Sequence, residues 1–356
     1  MHVAFLHPAL DLSGTTERAL ASAAVAHGLG WRVSVIARPG SRAPALARRG
    51  VELFDDDLPR RMWRQPFALL RTRALLRGLA PDLLHVTDER LAGLASALAT
   101  SLRIPYVLEV ARPVREPLLR PHPHLRAIVL PCRTFVERAV NRGRAPRGLL
   151  RVVEHGPDLE RTWRPRPRDG ECRPCVGALG HLDLDHGTSV LLDAARFLKS
   201  EGRAFSVLVL GEGPQEDELR RAARRLDLAA EVTITAPAFD ALADVLDELD
   251  LFVSCTLEGS AGWLAHQAFG AGLPSIFSAV SSSFPLVEDG RSALLVERAD
   301  ARQLAGSIAA LLDDPPAAQA LGRRARSSML ALRPAETYAR ELAGVYEAAL
   351  ATRASG

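Results

Sequence analysis

One carboxylate, Glu258, stands where the surrounding residues would aim it at a ligand. It follows the short apolar run Leu251–Cys255, which reads as a strand buried on both faces. Gly259 and Ser260 continue the turn, Gly262 follows, and a helix-patterned segment runs through Phe269 with His266 inside it. Gly270 and Gly272 are expected to end that helix, and Pro274 prevents its continuation. A strand, turn and helix in this order present a carboxylate and free backbone N–H groups at the carboxyl end of a sheet. Open α/β sheets bind ligands there, and the N-terminus of the following helix favours phosphate.

Other clusters invite chemistry more weakly. Gly211-Glu212-Gly213-Pro214 closes the predicted strand Ser206–Leu210, where glycines let a backbone approach a ligand or simply make the turn. Gly14 serves a similar turn near the N-terminus. Cys172-x-x-Cys175 with His181 and His186 has the residue types of a zinc site, but the pairs are too close in sequence for a finger and a strand separates them. Asp183-x-Asp185 is too short a motif to specify a metal. Asp55-Asp56-Asp57 reads as a solvated acidic run. The expectation is a protein that requires no metal and no cofactor.

The elements that must position these residues alternate. The N-terminal portion reads as a βαβ opening: a strand at Val3–Leu6, a helix over Thr16–His27 and a strand at Trp31–Ala37. It lacks the Gly-x-Gly-x-x-Gly dinucleotide fingerprint. Further strands are predicted at Asp82–Val86, Ile104–Val110, Ala127–Leu130 and Leu150–Val153. After the Pro-, Arg- and Gly-rich stretch Trp163–Gly170, read as a linker, the alternation restarts. Strands are expected there at Cys175–Leu179, Ser206–Leu210, Val232–Thr235, Leu251–Cys255, Ser275–Phe277 and Ala293–Val296. Their helices fall at Ser189–Ser200, Gln215–Leu226, Ala241–Leu249, Ser260–Phe269 and Ala301–Asp313, and a last amphipathic segment spans Glu336–Leu350. This is α/β patterning, two doubly wound units in 356 residues.

Charge divides unevenly between the halves. Residues 1–168 hold 28 Arg against 15 acids, a net +13, whereas the remainder holds 17 basic residues against 27 acids, a net −10. The first half therefore suits an anionic partner. Arg60–Arg77 contains six Arg and no acid, with Trp63 and Phe67 among apolar residues at helical spacing. It fits the interface of an anionic membrane, and equally a helix with a solvated Arg face. Interleaved aromatics for base stacking are missing, so no nucleic-acid partner is expected. Met1–His7 lacks the basic n-region of a signal peptide, and Leu91–Leu102 is too short to span a bilayer. The chain is thus expected in the cytoplasm, peripheral at the inner face of the membrane if Arg60–Arg77 binds lipid.

Collectively these segments resemble the family 4 glycosyltransferases (glycosyl transferase group 1). Glu258 and the tail Phe269–Pro274 match that family's signature, with His266 where a second Glu is usual. Val176–Leu179 through His186-Gly187, the Gly211–Pro214 turn, Val287–Gly290 and Ala293–Val296 match further segments. His155–Asp158 corresponds to its Asn-Gly-Val-Asp, and Gly14 with Glu17 matches loosely its N-terminal glycine loop. The resemblance implies the GT-B fold, two Rossmann-like domains with doubly wound parallel sheets facing a central cleft. Domains are expected at residues 1–165 for the acceptor and 166–334 for the nucleotide-sugar donor, with 335–356 crossing back to the first. It further implies a retaining glycosyltransferase moving a sugar from a nucleotide-diphosphate sugar, a co-substrate, to an acceptor hydroxyl. Glu258 would act at the donor sugar. Gly259, Ser260 and Gly262 would offer N–H groups, His266 would touch the ribose, and His186, Gly211, Gly213 and Gly14 would line the substrates.

Three departures fall on the donor site. Where the family pairs the pyrophosphate with Arg and Lys, this sequence has Ala178 and His186, and His266 replaces the ribose-binding Glu. Losing three charge-assisted hydrogen bonds costs on the order of 5–8 kcal/mol. The alternative is therefore a non-catalytic GT-B-fold binding or scaffold subunit, favoured by those departures as the retained Glu258 and glycine turn favour the enzyme.

Overall fold

A computed structural model describes residues 1–58, 66–110, 122–131, 135–136, 140, 145–154, 173–236, 242–257, 262–280, 287–332 and 335–351. Two compact units divide the chain. Met1–Asp11, Thr15–His155 and Glu336–Gly356 make the first, and Leu12–Gly14 with Gly156–Ala335 the second.

In the first unit the described strands run β1 (His2–Ala9), β2 (Arg32–Arg38), β3 (Glu52–Asp55), β4 (Leu83–Val86), β5 (Tyr106–Glu109), β6 (Leu125–Leu130) and β7 (Leu150–Val152). They form one parallel sheet in the order β3-β2-β1-β4-β5-β6-β7. Alternation along β1 shows why both faces are covered. Val3 and Phe5 pack with Leu20 and Ala23 of helix α1 (Gly14–Gly28), while Ala4 and Leu6 pack with Leu76 of α3 (Pro66–Leu79) and Leu94 and Leu98 of α4 (Ala92–Leu102). A short helix, α2 (Ala43–Arg48), precedes β3.

β3 lies at the sheet edge and is absent from the sequence reading, because Glu52 and Asp55 mask it within the acidic run. That run is not uniformly solvated. Asp56 is 2% exposed and accepts hydrogen bonds from Thr72 Oγ1 at 2.7 Å and from Arg71, so it anchors α3 to the sheet.

In the second unit β8 (Cys175–Leu179), β9 (Ser206–Leu210), β10 (Val232–Thr235), β11 (Leu251–Ser254), β12 (Ser275–Ser278) and β13 (Leu294–Val296) are parallel in the order β10-β9-β8-β11-β12-β13. The helices are α5 (Thr188–Ser200), α6 (Glu216–Arg225), α7 (Leu242–Leu246), α8 (Gly262–Ala271), α9 (Ala301–Asp313) and α10 (Pro315–Leu332). Leu251 and Val253 face one apolar cluster with Leu191, Leu304 and Ile308. Phe252 faces another with Leu264, Ala268, Phe269 and Met329, so β11 is buried on both sides as its composition predicts.

Gly270 lies inside α8 rather than ending it. The helix closes at Gly272, whose φ of +84° suits a glycine C-cap. The sequence reading also omits α10, which opens on Pro315-Pro316. Proline is tolerated in a first helical turn, and Ala317 N–H donates to the Asp314 carboxylate at 3.0 Å to cap it. The last helix, α11 (Ala335–Ala351), packs in the first unit: Tyr338, Leu342, Val345 and Tyr346 share a cluster with Val3, Phe5 and Val35. No helix among the described residues is long and apolar enough to cross a membrane.

Candidate functional site

A doubly wound sheet leaves a crevice where adjacent strands send their connections to opposite sides, at the carboxyl ends of the strands. In the second unit those neighbours are β8 and β11. The loop after β8 (residues 180–187) and the loop after β11 (from Cys255) therefore form the crevice walls. They are fastened together, since Leu257 N–H donates to Asp185 O at 2.7 Å. Gly187, at φ +62°, lies so near Cys255 that an added Cβ would stand 2.3 Å from its carbonyl oxygen. Glu258, Gly259 and Ser260 follow directly and lie outside the described residues. Gly262 opens α8, and His266 sits half-buried on that helix between buried Ala265 and Gln267.

The loop after β9 supports the first wall from the other side. Gly180 N–H donates to Leu210 O, Leu182 N–H to Glu212 O and Gln215 N–H to Leu182 O, each at 3.0 Å. A Cβ on Gly211 would stand 2.0 Å from Gly180 O, and one on Gly213 would stand 2.4 Å from Leu182 O. Loop packing alone accounts for both glycines. Gly14 begins α1 in the N-terminal portion. Glu17, its companion in the sequence reading, is buried in an ion pair with Arg42, with side chains 6% exposed on both partners.

His186 lies on this wall with its side chain partly exposed. Its Nδ1 and its backbone N–H both meet Asp183 Oδ1, at 2.6 and 3.1 Å. Burial works against the Asp183 charge, but the hydrogen bond from His186 and the charges of His186 and His181 outweigh it and hold the carboxyl at about 2. The His181 ring meets the His186 ring edge-on with centroids 6.3 Å apart. Asp183 and Asp185 therefore serve loop geometry. Among the described residues no group of three or more His, Cys, Asp or Glu is gathered as a metal would need. Cys172 lies outside the described residues. Cys175 N–H is bonded to the Asp250 carboxylate at 2.8 Å, and Cys255 is buried with its thiol pushed up to about 12.

Ala178 lies on β8 against the apolar cluster, and its methyl supplies no cation. Arg291 is exposed and engaged by Glu288 at 2.7 Å. Arg298, just past β13, donates from Nη1 to Leu257 O at 3.3 Å, beside the turn that leads to Glu258. Sequence reasoning missed it because a single Arg beyond a strand belongs to no motif.

The first sheet has its own switch point between β1 and β4. His7, 2% exposed, pairs Nδ1 with Thr87 Oγ1 at 2.7 Å and Nε2 with Thr16 Oγ1 at 3.1 Å, and burial holds its pKa down to about 4. Asp88 beside it is buried and clasped by Arg90 through its backbone N–H and guanidinium. His155–Asp158 and Trp163–Gly170 lie outside the described residues, as do Arg60, Arg61, Trp63 and Arg64. The described part of that basic stretch, α3, exposes Phe67 (84%) and Leu70 (56%), with Arg71 and Arg77 also exposed.

Residues 173–314 match the family described as glycosyl transferases group 1. WcaL of Escherichia coli (strain K12), assigned to colanic acid biosynthesis as a glycosyltransferase, is 32% identical over 176 residues, 46% of this chain and 42% of that protein. The D-inositol 3-phosphate glycosyltransferase of Nocardia farcinica is 31% identical over 200 residues, 51% of this chain and 44% of that protein. This chain spans less than half the length of these curated relatives. The structure of Anabaena Alr3699/HepE in complex with UDP-glucose superposes with a TM-score of 0.81 at 17% identity, covering 98% of this chain and 99% of that one. The fold is GT-B.

Proposed function

We infer that this chain, a member of the group 1 glycosyltransferases through residues 173–314, transfers a sugar from a nucleotide-diphosphate sugar to an acceptor hydroxyl with retention of configuration. The observation that carries this reading is the fastening of the 180–187 loop to Leu257 at the β8–β11 switch point. There Glu258 and the N-terminus of α8 follow at once. The Anabaena neighbour, which holds UDP-glucose, lends support to the donor class.

Glu258 grips the hydroxyls of the donor sugar, and the N–H groups of Gly259, Ser260 and Gly262 with the α8 dipole receive the diphosphate. His186 faces the same diphosphate, and His266 makes one hydrogen bond to the ribose. Gly211 and Gly213 hold the His186 loop in place. The first unit is left to receive the acceptor, and Gly14, at the start of α1, lines the substrates. Catalysis rests on positioning and on stabilising the departing diphosphate, with no protein nucleophile and no metal. Calorimetric titration with UDP- and GDP-sugars tests it. Binding that Glu258→Ala weakens supports the reading, and no binding by either class at millimolar ligand overturns it.

A second reading, a non-catalytic binding or scaffold subunit, is favoured by Ala178, His186 and His266 at positions where the family carries charge. Donor binding without turnover on any acceptor is its signature.

The exposed face of α3, with Phe67 and Leu70 beside Arg71 and Arg77, suits an anionic membrane surface. Co-sedimentation with anionic but not neutral vesicles, lost in Phe67→Asp/Leu70→Asp, is the expected result. Equal recovery with both vesicle types removes this part.

A further inference from the structure

An amine and an imidazole can both meet a diphosphate, but only the imidazole changes charge between pH 5 and 8. This chain sets that imidazole with care. Three neighbouring contacts fix its loop: Gly187 under Cys255 O, Leu257 N–H on Asp185 O, and Gly180 against both the His186 ring edge (3.6 Å from an ideal Cβ) and Leu264. The Asp183 carboxylate takes Nδ1 at 2.6 Å and so leaves Nε2 as the ring nitrogen open to a ligand. Nε2 has no hydrogen-bond partner among the described residues, and the side chain is 39% exposed.

A carboxylate on one ring nitrogen fixes the tautomer and favours the imidazolium, which then has one N–H directed away from the carboxylate. Among the described residues, the other charged or titratable groups near it are already engaged or are held on the loop. His181 stands edge-on, Arg298 is held on Leu257 O, Glu212 lends its carbonyl to Leu182 N, and Asp185 lends its carbonyl to Leu257 N. No lysine or arginine on the 180–187 loop duplicates the charge of His186.

We propose that Asp183 is a positioning residue that holds His186 Nε2 toward the donor diphosphate, so that donor binding takes up a proton and is favoured by acid. This rests on the donor reading above and adds a pH dependence that a lysine at position 186 would not give. The sign follows from linkage. The protonated ring binds a diphosphate better than the neutral ring, so affinity falls as pH rises, and bound donor draws a proton onto His186 by the same factor. Replacing a charge-assisted bond by a neutral one weakens donor binding about tenfold across the window.

The test is calorimetry with UDP-glucose and GDP-mannose, whose diphosphate diesters do not titrate between pH 6 and 8. The full chain is measured at several pH values and in buffers of different ionisation enthalpy. Expected are about tenfold weaker binding at pH 8 than at pH 6 and net proton uptake on binding. In His186→Lys binding is tight and flat with pH, and in His186→Gln it is weak and flat. In Asp183→Asn the gain of affinity at pH 6 is lost. Wild-type binding that is flat with pH, or unchanged in both His186 variants, overturns this inference and leaves the donor reading intact. No binding of either sugar nucleotide to wild type or to His186→Lys at any pH overturns the donor reading, and this inference with it.

Discussion

Gly187 and Cys255 approach so closely that the missing Cβ of the one is what admits the carbonyl of the other: the atom would stand 2.3 Å from Cys255 O, and the backbone at Gly187 is left-handed besides. Gly187→Ala combines a left-handed penalty of about 1–2 kcal/mol with a clash against backbone that cannot turn aside. Urea unfolding is expected to show at least about 2 kcal/mol lost, together with weakened UDP-glucose binding, because the His186 wall shifts away from Leu257. A loss under about 0.5 kcal/mol with unchanged binding rules out this account of the joint.

The two glycines of the 211–214 turn make a related case with a built-in control. Gly211→Ala places a carbon 2.0 Å from Gly180 O, so the loop after β8 must move, and stability is expected to fall by about 1–3 kcal/mol. Gly306, inside α9, has nothing within 4 Å of its ideal Cβ, and Gly306→Ala is expected to gain about 0.5–1 kcal/mol from helix propensity. Opposite signs in thermal unfolding are the outcome to look for. Equal effects would mean that loop contact is not what the turn glycines serve.

The second sheet was legible because its strands are apolar runs buried on both faces, as Leu251, Phe252 and Val253 show. β3 was not, since an edge strand carries charges on its exposed side, and Asp56 reads like its solvated neighbours until α3 supplies Thr72. At the site, Glu258 and the glycine turn stood out by punctuation. His186 stood out through the family resemblance, whereas Asp183 read only as half of a weak Asp183-x-Asp185 metal motif, because its bond to His186 and the bond of Leu257 to Asp185 across loops are encoded by no local pattern. The glycines of 211–214 were recognisable as a turn, but the reason for them lies in Gly180 and Leu182, one strand away.

The last helix is held to the first unit by two hydroxyls. Tyr346 Oη meets the fully buried His85 at Nδ1 and Tyr338 Oη meets Ser22 Oγ, both at 2.6 Å. Tyr346→Phe leaves a buried ring nitrogen without its partner, which costs about 1–3 kcal/mol. The expected signature is earlier proteolytic release of α11 and a lower unfolding midpoint. Tyr338→Phe is the milder change, because a serine hydroxyl can rotate. An unchanged midpoint in Tyr346→Phe would show that apolar packing of Val345 and Leu342 alone secures the helix.

His7 predicts an acid sensitivity whose sign differs from that of a buried lysine or histidine held charged by a partner. Burial lowers its pKa from 6.5 to about 4, so the native state keeps the ring neutral between Thr87 and Thr16 while the unfolded chain protonates it. The unfolded state therefore binds more protons below pH 6.5, and stability present above that value is lost as pH falls toward 4. A shift of this size corresponds to something on the order of 3 kcal/mol over that interval. His7→Gln keeps hydrogen-bonding capacity but cannot titrate, so wild type is expected to lose stability faster than the variant between pH 6.5 and 4 in urea titrations. Parallel decline of the two proteins across that range would assign the acid sensitivity to other groups, beginning with His2, whose pKa burial also lowers.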